Sequence, residues 1–145
     1  MTDAEMATIR HFSKAEIIQS GGNPAGLSYD LFRRADVWRD LVGWPVSIPL
    51  GGTNSGHHIS NTDVHAVGEA LDVYRKDGLP VNYNYAFRAA LQVGFMGIGI
   101  YWNGFIYSFH FDVRNYQAWW YGVRKPGELE WRYYDIKLID PKMFV

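Results

Sequence analysis

A hairpin dominates this sequence: residues 97–114 read GIGIYWNGFIYSFHFDVR. Asn103-Gly104 lies between two aromatic-rich runs, the strongest short-range signal for a two-residue hairpin turn. Side chains alternate faces along a strand. Phe105, Tyr107, Phe109, Phe111 and Val113 therefore share an apolar face, and Ser108, His110, Asp112 and Arg114 share a polar one. A two-residue turn sets Trp102 opposite Phe105, Gly99 opposite Ser108 and Gly97 opposite His110. Directly opposed residues point the same way, so the glycines clear space around Ser108 and His110 while Ile98, Ile100 and Trp102 fill the core side. A cleared polar face with a histidine on it is a candidate site. The plain alternative is the solvent face of a half-exposed sheet.

The rest of the chain supplies helices for that sheet. SKAEIIQSGG carries a capping box, Ser13 with Glu16, before a double-glycine stop, and predicts a short helix. In LSYDLFRRADVWRDLVGWP, Leu31, Phe32, Ala35, Trp38, Leu41 and Val42 form one helical stripe, with Ser28 as N-cap and Asp30 in the first turn. PVSIPL reads as a short buried strand, followed by the long polar stretch GGTNSGHHISNTD. NYNYAFRAALQVGF predicts a second core helix with Phe87, Ala90, Leu91 and Val93 buried. The tail GELEWRYYDIKLIDPKMFV reads as a strand or extended arm at the edge of the fold. The expected class is α+β, a small antiparallel sheet packed against helices, in one domain spanning 1–145.

Composition narrows the chemistry. A net charge of −1 gives no electrostatic footprint for nucleic acid or an anionic membrane. Zero cysteines remove disulfides and thiolate metal sites, so a metal here must use histidines and carboxylates. The opening MTDAEMATIRHF shows no signal peptide, and no apolar run approaches the roughly 18–20 residues of a membrane span.

The stretch DVHAVGEALD, residues 63–72, sets His65 seven residues before Asp72. On a helix that spacing separates them by about 10.5 Å along the axis, whereas helical ligand pairs use i, i+4. Gly68 weakens a helix further. EALDVY has the alternation of a strand, with Leu71 and Val73 toward the core and Asp72 away from it. A loop running into a strand lets His65 and Asp72 converge on one cation.

His65-x-x-Gly68-x-Ala70-x-Asp72, followed by His110-Phe111-Asp112, resembles metallopeptidase family fifteen. That family includes zinc D-alanyl-D-alanine carboxypeptidases, VanY-like enzymes and phage endolysins, and shares its fold with the amino-terminal domain of Sonic hedgehog. HFSKAEI, WRDLVGWPVSI and the hairpin through Asp112-Val113-Arg114 are similar to further family segments. Two positions depart from the pattern. Asp63 stands where the family usually has Ser, and GGTNSGHH stands where it often has a Gly-Tyr-Arg segment.

The resemblance implies a Hedgehog/DD-peptidase-like fold in which His65, Asp72 and His110 bind Zn²⁺, with a fourth position open for water. Asp112 is then either a general base or the acceptor that orients a zinc histidine, and Asp63 is a further candidate base. Arg114 either neutralises a substrate carboxylate or oxyanion, or makes a structural ion pair. Asp63, His58 and Ser108 are candidate substrate contacts, His57 sits beside His58 in the polar loop, and Trp119 and Trp120 belong to core or cleft wall. The implied substrate is a peptidoglycan peptide, with other phage virion proteins as further candidate partners. A phage lysin held in the host cytoplasm until release to the wall, or carried on the virion, fits these features. The alternative is a non-catalytic zinc-containing module of the same fold.

Overall fold

The computed structural model of the protein describes residues 1–54 and 63–136. The helices are α1 (Asp3–Met6), α2 (Lys14–Gln19), α3 (Tyr29–Val42) and α4 (Tyr83–Val93). The strands are β1 (Val46–Ser47), β2 (Ala70–Arg75), β3 (Gly97–Trp102), β4 (Tyr107–Asp112), β5 (Ala118–Val123) and β6 (Arg132–Asp135). The class is α+β: one six-stranded sheet in the order β1-β2-β4-β3-β5-β6 with helices packed on it. Ser13 caps α2 as its sequence predicts, accepting from the Glu16 amide, but the Glu16 carboxylate accepts from the Ile48 amide instead of closing the capping box. Ser28 caps α3 by accepting from the Leu31 amide.

The sheet is mixed, which corrects the antiparallel expectation. β3 and β5 run parallel, while the other neighbouring pairs are antiparallel. The reason lies in the connection after β4. Asp112 at the end of β4 and Ala118 at the start of β5 both lie beside Gly97, one on each side of β3. Residues 113–117 therefore step across the beginning of β3, and β5 sets off in the direction β3 takes. The Met96 amide donates to the Asp112 carbonyl and the Ala118 amide to the Met96 carbonyl, pinning that crossing.

The hairpin register also differs from the two-residue expectation. Trp102 pairs with Tyr107, so Gly99 lies opposite His110 and Gly97 opposite Asp112. The Asn103 side chain accepts from the amides of both Phe105 and Ile106 at 2.9 Å, closing a four-residue loop and turning Phe105 out to solvent. A shift of two keeps every side chain on its face, because the strand period is two. Phe109, Phe111, Ile98 and Ile100 are fully buried on the core side.

Helix α3 covers that side. Its Trp38 has ring centroids 4.6 Å from Phe111 and 5.8 Å from Phe109, and its indole N–H donates to the Ala86 carbonyl of α4. Leu31, Phe32, Ala35 and Trp38 are buried as the stripe predicts, whereas Leu41 and Val42 are only partly so. In α4 the buried residues are Ala86, Ala89 and Ala90, with Phe87, Leu91 and Val93 at the flanks. Alanines permit the close approach that the Trp38–Ala86 bond requires. Phe87 instead meets Trp119 edge-on at 5.8 Å. No helix among the described residues is long and apolar enough to cross a membrane.

Candidate metal centre

The opposite face of the sheet carries the polar residues. Asp72 on β2 and His110 on β4 are directly paired, so both project from that face at the same level. His65 arrives from the turn that precedes β2. The Asp63 carboxylate accepts from the His65 amide at 2.8 Å, the Val67 amide donates to the Asp63 carbonyl, and the Gly68 amide donates to the His65 carbonyl. Gly68 has φ 78, and a Cβ there would overlap the Gly26 carbonyl. Its own carbonyl accepts from the Ser28 amide. Only glycine combines that backbone angle with that approach. The stretch 63–72 is thus a turn entering a strand, in agreement with the reading of its sequence.

Three ligand atoms converge where these elements meet. His110 Nδ1 lies 3.0 Å from Asp72 Oδ1 and 3.1 Å from His65 Nε2, and His65 Nε2 lies 3.3 Å from Asp72 Oδ1. Tetrahedral bonds of the usual zinc length place neighbouring donors about 3.3 Å apart, so the triangle has the size of one small cation's coordination face. The two histidines are buried and Asp72 is half-buried.

The partners of the other ring nitrogens fix the tautomers. His65 Nδ1 faces the Thr53 carbonyl at 3.0 Å, and a carbonyl only accepts, so Nδ1 carries the hydrogen. His110 Nε2 faces the Asp112 carboxylate at 2.7 Å and likewise donates. The lone pairs of His65 Nε2 and His110 Nδ1 then point toward each other and toward Asp72. Such an arrangement repels itself unless a proton or a metal cation occupies it. This group could hold a metal ion.

Electrostatics agree with that reading. Burial opposes a charged His110, yet hydrogen bonds to Asp112 and Asp72 outweigh it and raise the pKa to about 9. Burial likewise opposes an ionised Asp72, and hydrogen bonds from His110 and His65 hold it down to about 2. In Asp112 burial is again overcome, by His110 and Arg114, and the carboxyl is held far below its ordinary range.

Each remaining candidate has a location. Asp112 is fully buried on the far side of the His110 ring from the other ligand atoms, between His110 and the Arg114 guanidinium. Gly97 makes its room, since a Cβ there would overlap the Asp112 carboxylate. Arg114 commits its Nε to Asp112 and its Nη1 to the Tyr116 hydroxyl. Asp63 and Ser108 line the same cleft of about 430 Å³ as the three ligands. His57 and His58 lie outside the described residues. Trp120 forms cleft wall, its ring 5.1 Å from that of His110, while Trp119 packs on the core side.

Sequence reasoning missed four contributors. Thr53, fully buried and near Ser20, supplies the carbonyl that orients His65, and Gly52 accepts from the Asp72 amide through its carbonyl. Nothing local announces these backbone acceptors. Tyr101 and Trp131 also line the cleft, and alternation through Gly97 and Gly99 does place Tyr101 on the site face. Comparison of the chain with protein-family models, curated proteins and solved structures finds no match.

Proposed function

We propose that the protein is a zinc-dependent peptidase that hydrolyses peptide bonds in peptidoglycan stem peptides or their cross-links. The observation that carries this reading is the convergence of two imidazole lone pairs and a carboxylate oxygen, 3.0 to 3.3 Å apart, at the wall of an open cleft. Two imidazoles with one carboxylate suit zinc, whereas calcium and magnesium favour all-oxygen sets. Three protein ligands leave a position for water, the pattern of catalytic zinc sites. Zinc held by His65, Asp72 and His110 would supply an activated water and polarise a substrate carbonyl. The ligand order of the HxxGxAxD and HxD segments, and helices on the sheet face opposite the site, support a Hedgehog/DD-peptidase-like fold.

The chain's own residues supply the rest. Asp112 orients His110 and keeps its Nδ1 free of hydrogen, and Arg114 steadies Asp112. Asp63 also lines the cleft, and in this reading its carboxylate takes a proton from the attacking water while it continues to accept from the His65 amide. Ser108 and Trp120 line the same cleft and in this reading contact the peptide. A phage lysin, released from the host cytoplasm to the wall or borne on the virion among other virion proteins, is the setting that fits.

A second reading is a zinc-holding module without catalysis. It is favoured by the commitment of Asp112 to His110 and Arg114, which removes one carboxylate from proton transfer. Mass spectrometry of muropeptides after digestion separates the two. The peptidase releases new amino and carboxyl termini, loses that activity to a chelator, regains it with zinc, and lacks it in His65→Ala. Stoichiometric zinc without new termini leaves the module.

A further inference from the structure

Among the described residues that line the cleft, Tyr101 carries a hydrogen-bond donor that none of these roles uses. Tyr101 follows Gly97 and Gly99 on the site face of β3 and pairs with Gly122 of β5. A Cβ at Gly122 would come within 2.8 Å of the Tyr101 ring, so the glycine lets that ring lie across the neighbouring strand. Trp131 meets it edge-on at 5.3 Å. The Trp120 indole N–H donates to the Tyr101 hydroxyl oxygen at 2.7 Å, and the same indole packs against the His110 ring. Trp120 is itself seated by a glycine, because a Cβ at Gly99 would come within 2.7 Å of its ring.

An indole N–H only donates, so the Tyr101 hydroxyl accepts there and its own hydrogen is left to give. No acceptor for that hydrogen is found among the described residues. A hydroxyl that accepts one bond donates a stronger second one. Burial, with the Asp72 carboxylate adding to it, pushes the Tyr101 pKa up to about 12, so the hydrogen stays in place. Arg114, the strongest other donor in the cleft wall, is committed to Asp112 and Tyr116.

We propose, resting on the peptidase reading, that Tyr101 is a catalytic residue whose hydroxyl donates a hydrogen bond to the scissile carbonyl oxygen as negative charge builds on it. The water oxygen bonds to the carbonyl carbon and the π pair moves onto the carbonyl oxygen, where Tyr101 stabilises it. The pair then returns, the carbon–nitrogen bond breaks, and a proton taken from the water ends on the leaving nitrogen. Tyr101 keeps its own proton throughout. Trp120 is the positioning residue behind it.

Tyr101→Phe removes only the hydroxyl. In the zinc-loaded full chain acting on purified peptidoglycan, it retains zinc stoichiometry, Tm and a KM within about twofold, while kcat falls on the order of 10²-fold. Trp120→Phe lowers kcat by a smaller factor. A second readout is binding of the phosphinate analogue of the peptide that wild type cleaves. Tyr101→Phe weakens it by the factor lost from kcat/KM, as a transition-state contact requires. Unchanged kcat and analogue affinity beside an active wild type would overturn the role of Tyr101 alone. A rise confined to KM, or a loss of zinc, would overturn it as well. If zinc-loaded wild type releases no new termini, the peptidase reading falls and the role of Tyr101 goes with it.

Discussion

Single residues decide how the ligands of this site are presented. His110 has two buried nitrogens, and the Asp112 carboxylate claims one of them, so Nδ1 alone faces Asp72 and His65. Partners of this kind, one bond behind a metal ligand, are worth about 10- to 100-fold in metal affinity. Asp112→Asn is therefore expected to weaken zinc binding by about that factor in competition with a chromophoric chelator. If the protein is the proposed peptidase, turnover per bound zinc should stay near wild type. Turnover abolished at saturating zinc would instead make Asp112 the proton acceptor. Asp63 has a local role: its carboxylate accepts from the His65 amide and holds the turn that presents His65.

At the scale of elements, the centre depends on a six-residue turn locked to the segment before α3. Gly68 is the pivot, with φ 78 and its backbone in contact with Gly26 and Ser28. A side chain here meets both an unfavourable backbone angle and a rigid carbonyl. Gly68→Ala is expected to cost about 1–3 kcal/mol in chemical denaturation. Because the turn carries His65, the same variant should bind zinc more weakly than its stability loss alone explains. Stability within error of wild type would mean that the turn does not adopt this conformation. The hairpin teaches a related lesson. Asn103-Gly104 correctly marked the reversal, but the Asn103 side chain closes a longer loop, which shifts the partners of Gly97 and Gly99 by two residues without moving any residue to the other face.

For the whole molecule, a metal bound at this site would be linked to the stability of the fold. At free zinc one hundred times its dissociation constant, binding adds about 2.7 kcal/mol. In a chain of 145 residues that raises Tm on the order of 10 °C. The metal-free protein carries its own pH dependence. His110 is raised from 6.5 to about 9, so its contribution is fully present below pH 6.5 and is lost as pH rises through 9. Asp72 is lowered from 3.8 to about 2, so its contribution is present above pH 3.8 and is lost as pH falls through 2. Zinc bound at this site would replace the His110 proton, so its affinity is expected to rise over the window in which the metal-free protein weakens. Calorimetry with zinc and with chelator should show the gap in Tm widening from pH 6.5 to 9. A constant gap would mean that no proton leaves when metal binds.

The sequence by itself determined which residues face the core and which face the site. Alternation along a strand is a local property of the backbone, and it placed Phe109 and Phe111 opposite to His110 and Asp112 in any even register. It also showed that residues 63–72 run from loop into strand, since a helix would hold His65 and Asp72 too far apart. Only the tertiary structure decided what those residues meet. His65 and His110 touch across 45 positions of chain, and their tautomers depend on a carbonyl at Thr53 and a carboxylate in a space left by Gly97. The parallel course of β5 follows from a crossing over the start of β3, and it lays Trp120 and Tyr101 along the cleft. Those outcomes are set by strand pairing and by close approach, which depend on the whole chain and leave no local pattern to read.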